Sequence, residues 1–574
     1  MNSILGISIL DIIVLAFYFI IITWIGVWTR RKIKSTADFF MGNRGFGKIL
    51  MIAQAFGVGT HTDQPVSVSG ASYTTGLAGI WYQWLWLFST PFYWIIGPIY
   101  RRLRYVTMAD FFFERYGKSL GIFYAFVGGL FFCMNIGIML KGTGVTIEAL
   151  TGGALPETPI ILIATLLFVV YGLAGGLIAA VITDLIQGVL ILVLSFLLIP
   201  FALHEAGGIS AIHQGLPEHM FSLVAPYEVT LFFIVMVVLN GLVGIVVQPH
   251  HMAVGGTGKT EMASRTGWTY GNFIKRLATL GWAFLGIFAA FLYPGLTEET
   301  RELAFGLAAR NLLPMGLVGL MMAALIAAVM STCDAFMVHA SALFTKNVYE
   351  PYINPRGTDG NLLRIGRISS VFVVIGGVFF AFTFPSVVHG LMELWKVTAY
   401  LGISFWFGVI WKRANRYGAW TSALTMAGVA FFTGNILGWS FPNQIALYLP
   451  VGIVMMIIVS RFTRPEPDEK LRQFYMLLDT PVGKEDRLRQ ADVEIKLEGI
   501  SVGKEAGMTK GRTLEGKMKG DKEEDGLIIV DLLSVHKRFS WKRYRTDILG
   551  FGAGVLLVIA IILLAIFLAS MGAE

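Results

Sequence analysis

Phe56-Gly-Val-Gly-Thr60-His-Thr-Asp-Gln-Pro65 sits inside an apolar run, yet it concentrates what hydrocarbon rejects. Two glycines weaken a helix, a proline removes a backbone donor, and five consecutive polar side chains, Thr60 to Gln64, need partners. A second such place is Ala327-Ala-Val-Met-Ser331-Thr-Cys-Asp334, in the middle of another apolar run. Polar groups persist at membrane depth only where they face a bundle interior or a wet cavity, and there they mark substrate and ion paths. A broken helix opposite a hydroxyl-bearing helix is the anatomy of a transporter's ion site. The bland alternative is that the glycines only let helices pack closely.

Working outward, the composition agrees with a membrane setting. The chain has 574 residues, of which 55% are hydrophobic and only 14% charged. The mean hydropathy is +0.67, so the chain reads as an all-α polytopic membrane protein. The first apolar run, about 7–28, is long enough to span and is followed by Arg30, Arg31, Lys32 and Lys34, unlike a cleaved signal peptide. Cys133 and Cys333 both fall in apolar runs, which argues against a disulfide framework or a zinc cluster. The net charge of +8 invites a nucleic-acid partner, but the basic residues cluster in short loops beside the runs.

Windows of ~20 apolar residues give about 14 transmembrane helices. Alternate loops carry the cations: Arg101, Arg102, Arg104, Arg115 and Lys118, then Lys259 and Arg265, then Lys346, Arg356, Arg364 and Arg367, then Lys412, Arg413 and Arg416. The intervening loops hold few beyond Arg301 and Arg310, and 204–228 has no Lys or Arg. The positive-inside rule then places both termini outside a plasma (inner) membrane crossed many times. Residues 463–545 are rich in Lys, Glu, Asp and Gly and read as a cytoplasmic linker, partly disordered, with Leu527–Leu533 apolar enough to dock.

The two anomalous segments assemble into a candidate cation site. An unwound turn would free the carbonyls of Gly57 and Thr60; an Ala328 carbonyl and the Ser331 and Thr332 hydroxyls bring the oxygens to five, the kind of donor a hard cation such as sodium takes. Against this, a lone helical hydroxyl usually bonds back to its own i−4 carbonyl. His61, Asp63 and Gln64 follow within a turn and are candidates to line a solute cavity, or else a structural polar network. Gln83 among Trp81, Tyr82, Trp84 and Trp86 is a further candidate, although aromatic stripes often form interfacial belts. Tyr171 to Gln187 reads as a tight hairpin, with Asp184 either a helix cap or an inner-side cation or exit site. Glu393 and Lys396 are three apart and pair or meet an anionic solute. Ala253 to Thr260 loosely fits a phosphate loop, but a membrane helix, not a strand, precedes it, so no nucleotide is expected.

These stretches together resemble the sodium:solute symporter family, which includes sodium/glucose, sodium/proline, pantothenate and sialic acid symporters. The resemblance rests on Asp38 to Arg44, Gly70-Ala-Ser-Tyr73-Thr-Thr-Gly76, Thr107 to Gly117, Tyr171 to Gln187, Gly267 to Lys275 and Met330 to Tyr349. It implies a leucine-transporter-like fold of inverted five-helix repeats. The division is 1–45 (an extra helix and loop), 46–203 (first repeat), 204–228 (extracellular loop), 229–410 (second repeat), 411–462 (two more helices), 463–545 (linker) and 546–574 (last helix). The family's main sodium site falls on Gly57, Thr60, Ala328, Ser331 and Thr332. Its second site in some members falls on Asp184 and the turn beyond Ser331, where Asp334 and Ala335 stand here. Gln64 and Gln83 match sugar contacts of glucose-type members, the second being Gln where Glu is usual. The expectation is a sodium-coupled symporter, not an enzyme, carrying a small solute and Na+ by alternating access, with no organic cofactor and as a monomer. A transporter-like sensor, or proton coupling through Asp63 or Asp184, is the alternative.

Overall fold

A computed structural model describes residues 3–30, 45–491, 526–534 and 539–573; side chains at some helical positions, among them Asp184 and Ser331, lie outside the described residues. The described chain is almost wholly helical. A short hairpin of β1 (Ser3–Ile4) and β2 (Ile7–Ser8) opens it, followed by α1 (Ile9–Arg30). The first anomalous run does break: α2 (Lys48–Gly57) stops, residues 58–62 are non-helical, and α3 (Asp63–Thr75) resumes. The expected span over 77–100 is a series of short turns ending in α4 (Tyr93–Leu103), because Gly76 adopts φ 66° and helix pieces restart at Trp81 and Thr90. A short, largely buried helix α5 (Met108–Tyr116), started by a Thr107–Asp110 capping box, leads into the long α6 (Lys118–Thr151).

The next element, α7 (Glu157–Glu205), is one run of 49 residues where two helices and a hairpin were expected. A straight helix of that length would be about 74 Å long, over twice the hydrocarbon thickness of about 30 Å. Its first residue bonds to Lys141 and Glu148 near the end of α6, while Glu205 lies near Tyr293, close to the end of a later helix. Both ends therefore sit on one side, so the run is not straight and folds back between them.

The second half repeats the theme. α8 (Leu231–Gly244) continues through a tighter turn, Ile245–Val247, and meets α9 (Pro249–Gly256) at a 60° bend. Proline at 249 cannot donate a backbone N–H, which ends the first segment at Gln248. Then follow α10 (Glu261–Leu292), α11 (Ala304–Leu312), α12 (Leu317–Phe344), α13 (Asp359–Thr383), α14 (Val387–Ile410), α15 (Arg416–Phe431), α16 (Phe441–Phe462), α17 (Asp468–Asp479) and α18 (Trp541–Ser570). Side chains of Thr230, Thr260, Thr358, Ser386 and Asn415 accept the free amides that start α8, α10, α13, α14 and α15. Among the described residues seven helices are long and apolar enough to cross a membrane, or eight if the bent pair counts as one span. The interrupted elements fail that test on length.

Packing is set by small residues on α10. A side chain at Gly267 would collide with Met51, one at Gly271 would stand 2.7 Å from the Ile52 carbonyl, and one at Gly286 would strike Ser69. Helix α10 thus lies directly on both halves of the broken span. Asp11 of α1 accepts the amides of Gly316 (2.7 Å) and Gly319 (2.8 Å), capping α12 from outside it. The start of the 463–545 region is folded: Phe474, Tyr475, Leu477 and Leu478 of α17 are buried, and Arg102 and Arg104 donate to the carbonyls of Leu478 and Thr480. Leu527 is buried too, and the Ile528 amide donates to Asp547 at the start of α18 (2.8 Å), so this apolar piece docks on the last helix. The middle of the region lies outside the described residues.

Candidate functional site

The two breaks face one another across a central cavity of about 90 Å³. Its wall is built from five directions: residues 58–64 of the first break, Gln83, Trp86 and Tyr93, Phe131 and Asn135 of α6, residues 245–251 of the second break, and Asn272, Lys275 and Arg276 of α10. Phe336 of α12 and Trp395 of α14 complete it. The aromatic stripe at 81–86 is buried inside the bundle rather than placed at an interface, and Trp86 faces the cavity. Tyr93 stacks on Trp268 (4.8 Å), and the His251 ring stands edge-on to Trp268 (4.7 Å).

The first break satisfies itself with short local bonds. Thr60 N–H donates to the Gly57 carbonyl (3.1 Å), its hydroxyl donates to Phe56 (2.6 Å), and the Gln64 amide donates to Gly59 (2.6 Å). Thr62 reaches across to the Met139 carbonyl and the Thr143 hydroxyl of α6. His61 Nδ1 contacts the Asp63 carboxylate, and the His61 ring lies 6.5 Å from Phe336. Thus α12 borders the break, and Asp334 and Asp63 both lie within electrostatic reach of Cys333.

Of the solute candidates, His61, Asp63, Gln64 and Gln83 line this cavity. Lys396 does not: its ammonium is 2.6 Å from Glu393 and lies over the Phe441 ring at 5.6 Å. Of the cation candidates, Thr60 and Ala328 are buried. The Thr332 hydroxyl is buried and has no hydrogen-bond partner among the described residues. An orphaned buried hydroxyl oxygen suits a cation as cargo. The side chains of Ser331 and Asp184 lie outside the described residues; Asp334 is buried.

Reading the sequence missed several cavity residues, among them Asn135, His251, Asn272, Lys275 and Arg276. The last two carried only a weak signal, adjacent cations close to the start of a predicted span. A side chain on Gly59 would occupy the place of the Lys275 ammonium, so the glycine here makes room for a cation. Above the cavity, Arg301 grips Glu228 through two bonds (2.8 and 2.9 Å) and Thr74 through a third, while Tyr82 donates to Glu228 (2.8 Å). Burial pushes the Glu228 carboxyl up, but the hydrogen bonds and charge of Arg301, with Tyr82, outweigh it and hold the group below its ordinary value. Glu302 accepts the first amides of α14 from Val387 (3.0 Å) and Val388 (2.9 Å); its own burial leaves its carboxyl raised. The Ala253–Thr260 stretch is the second half of the bent span and a turn, with no strand before it.

Residues 39–428 match the sodium:solute symporter family. The chain is 27% identical to a sodium/glucose cotransporter of Vibrio parahaemolyticus, covering 81% of this chain and 92% of that one. It is 27% identical to the sodium/pantothenate symporter of Escherichia coli (79% and 97%) and 25% identical to an osmoregulated proline transporter of Bacillus subtilis (81% and 98%). Its fold is that of a solved sodium-coupled sialic acid symporter, with a TM-score of 0.70 at 17% identity over 80% of this chain and 98% of that one.

Proposed function

The chain belongs to the sodium:solute symporter family, and on that premise we propose that it imports a small organic solute together with sodium, by alternating access, across the plasma membrane. It is a transporter rather than an enzyme, as its relatives are. The observation that carries the reading is the non-helical stretch 58–62 beside α12, where the Thr332 hydroxyl is buried without a partner among the described residues. Sodium is held in this proposal by the carbonyls of Gly57, Thr60 and Ala328 and the hydroxyls of Ser331 and Thr332. The solute occupies the cavity next to it, against His61, Asp63, Gln64 and Gln83.

Two inverted repeats, 46–203 and 229–410, within about fourteen spans supply the two breaks, and both termini face outward. Sodium joins the halves of the first broken span to α12 and favours a conformation in which the cavity accepts solute. Reorientation then exposes both to the cytoplasm, driven by the gradient and by ~2.3 kcal/mol per charge per 100 mV of potential. The test is uptake in proteoliposomes of wild type and the double variant Ser331→Ala with Thr332→Ala. Loss of sodium-dependent flux at normal expression supports the site, and unchanged sodium activation removes it. The His61–Asp63 contact in the cavity wall favours a second reading, proton coupling, which uptake following a pH gradient without sodium would establish.

A further inference from the structure

We propose that the solute is a small hydroxylated organic acid whose carboxylate is received between Lys275 and Arg276, an assignment that rests on the symporter reading above. These neighbours sit midway along α10, only 7% and 5% exposed, and both line the cavity. The Lys275 ammonium has no hydrogen bond or ion pair with any described residue; it is the backbone carbonyl of Lys275 that the Thr279 hydroxyl engages (2.9 Å). Among the described residues the Arg276 side chain reaches only neutral oxygens at long range, the Gln83 carbonyl at 3.3 Å and the Thr90 hydroxyl at 3.5 Å. The Lys275 ammonium stands beside Gly59 and the Arg276 guanidinium beside the Gln83 carbonyl, and both border the one cavity.

The charge around them is one-sided. Among the described lining residues Asp63 is the single carboxylate, and His61 already engages it; the other titratable groups are His250, His251 and Tyr93. Gln83, which also lines the cavity, adds no charge to offset the two cations. Unpaired cations at membrane depth are costly and persist where they meet a partner on a transport path. A carboxylate supplies that partner through charge-assisted bonds, which Arg makes in a bidentate way.

The rest of the wall asks for hydroxyls. Gln64 spends one amide hydrogen on Gly59 and Asn272 one on Trp268 (2.8 Å). Gln83 has no side-chain partner among the described residues. Amide oxygens and hydrogens therefore remain for a solute that both donates and accepts, as alcohol groups do.

The experiment pairs acids with their neutral counterparts: D-glucuronate with D-glucose, D-galacturonate with D-galactose, and D-glycerate with glycerol. Sodium-driven uptake is measured in proteoliposomes, and binding to the purified full chain by thermal shift with and without sodium. One acid is expected to exceed its neutral partner about tenfold or more. Lys275→Gln and Arg276→Gln should each weaken that acid about tenfold, with Lys275→Arg restoring part of the loss. A neutral solute carried in preference, acid affinity unchanged in both glutamine variants, or no acid bound at all overturns the assignment and leaves symport standing. Acid binding without sodium-driven flux instead overturns symport and leaves the assignment.

Discussion

The two broken spans of this bundle are interrupted in different ways. Between α2 and α3 the chain leaves the helix for residues 58–62 and fills the gap with hydroxyl, imidazole, carboxylate and amide groups. Between α8 and α9 it hardly leaves at all: a single Gln-Pro step turns the axis by 60°, and His251 Nδ1 takes up the Ile245 carbonyl that the bend frees (2.7 Å). The first break exposes backbone and polar side chains to the cavity and to α12. The second aims two imidazole rings at the cavity, His251 and His250, the latter against Phe336 of α12 (5.3 Å). Under the proposed function the two interruptions take different tasks, cation capture by oxygens on one side and shaping of the solute cavity on the other.

The sharpest way to break this division is at the first break. Thr332→Ala removes the orphaned hydroxyl opposite it; sodium-dependent uptake is expected to fall about 100-fold, a loss of roughly 2.7 kcal/mol, while uptake at saturating solute without sodium is unaltered. Equal loss in both conditions would deny the first break its cation role. Gly59→Ala comes next. It leaves the Lys275 charge in the protein but displaces the ammonium, so solute affinity should drop about tenfold with the sodium activation constant little changed.

At the second break, Pro249→Ala restores a backbone donor and relieves the bend. Uptake is expected to fall several-fold while melting temperature holds or rises by a few degrees, since about 1 kcal/mol moves the melting point by only a few degrees. A drop in stability instead would mean that the bend holds the fold together. His251→Phe, which loses the bond to Ile245 but keeps the ring, should cost about 1–3 kcal/mol of stability and alter solute affinity more than sodium affinity.

The smallest effect lies above both breaks. Glu228 is held below its ordinary value by Arg301, so its contribution to stability is full above the unfolded value of ~4.3 and fades as pH falls through the lower folded value. Glu228→Gln should therefore be less stable than wild type at pH 7, and the gap in melting temperature should close only in acid below pH ~4. A gap independent of pH would deny the ion pair its role.

How far the molecule is legible in its sequence depends on how loudly each break is written. The first one is loud: glycines, a proline and five polar residues cannot all be ignored inside an apolar run. The second is quiet, because Gln248-Pro249 follows the valine-rich end of a run that looks continuous, and one proline is compatible with either a kink or a helix start. Lys275 and Arg276 were hidden by a boundary: a span opening near residue 270 puts them close to the surface, whereas α10 begins at Glu261 and buries them midway. The short turns at 76–103 defeat counting by length, and α7 defeats it in the other direction by running through its own reversal. Family resemblance located the cation candidates; it did not point to the charge of the solute, which depends on which side chains lack partners.

The contact between Gly59 and Lys275 has a consequence for populations of sequences rather than for one molecule. Since a side chain at 59 and the ammonium of residue 275 claim the same volume, the two positions are not free to drift apart. Relatives that keep a long cation at the position of Lys275 should keep glycine at that of Gly59, and those that acquire alanine or serine there should carry a shorter or neutral residue opposite. The pair would then act as a coupled barcode, by which members of the family with this cavity could be told from the others without solving a structure.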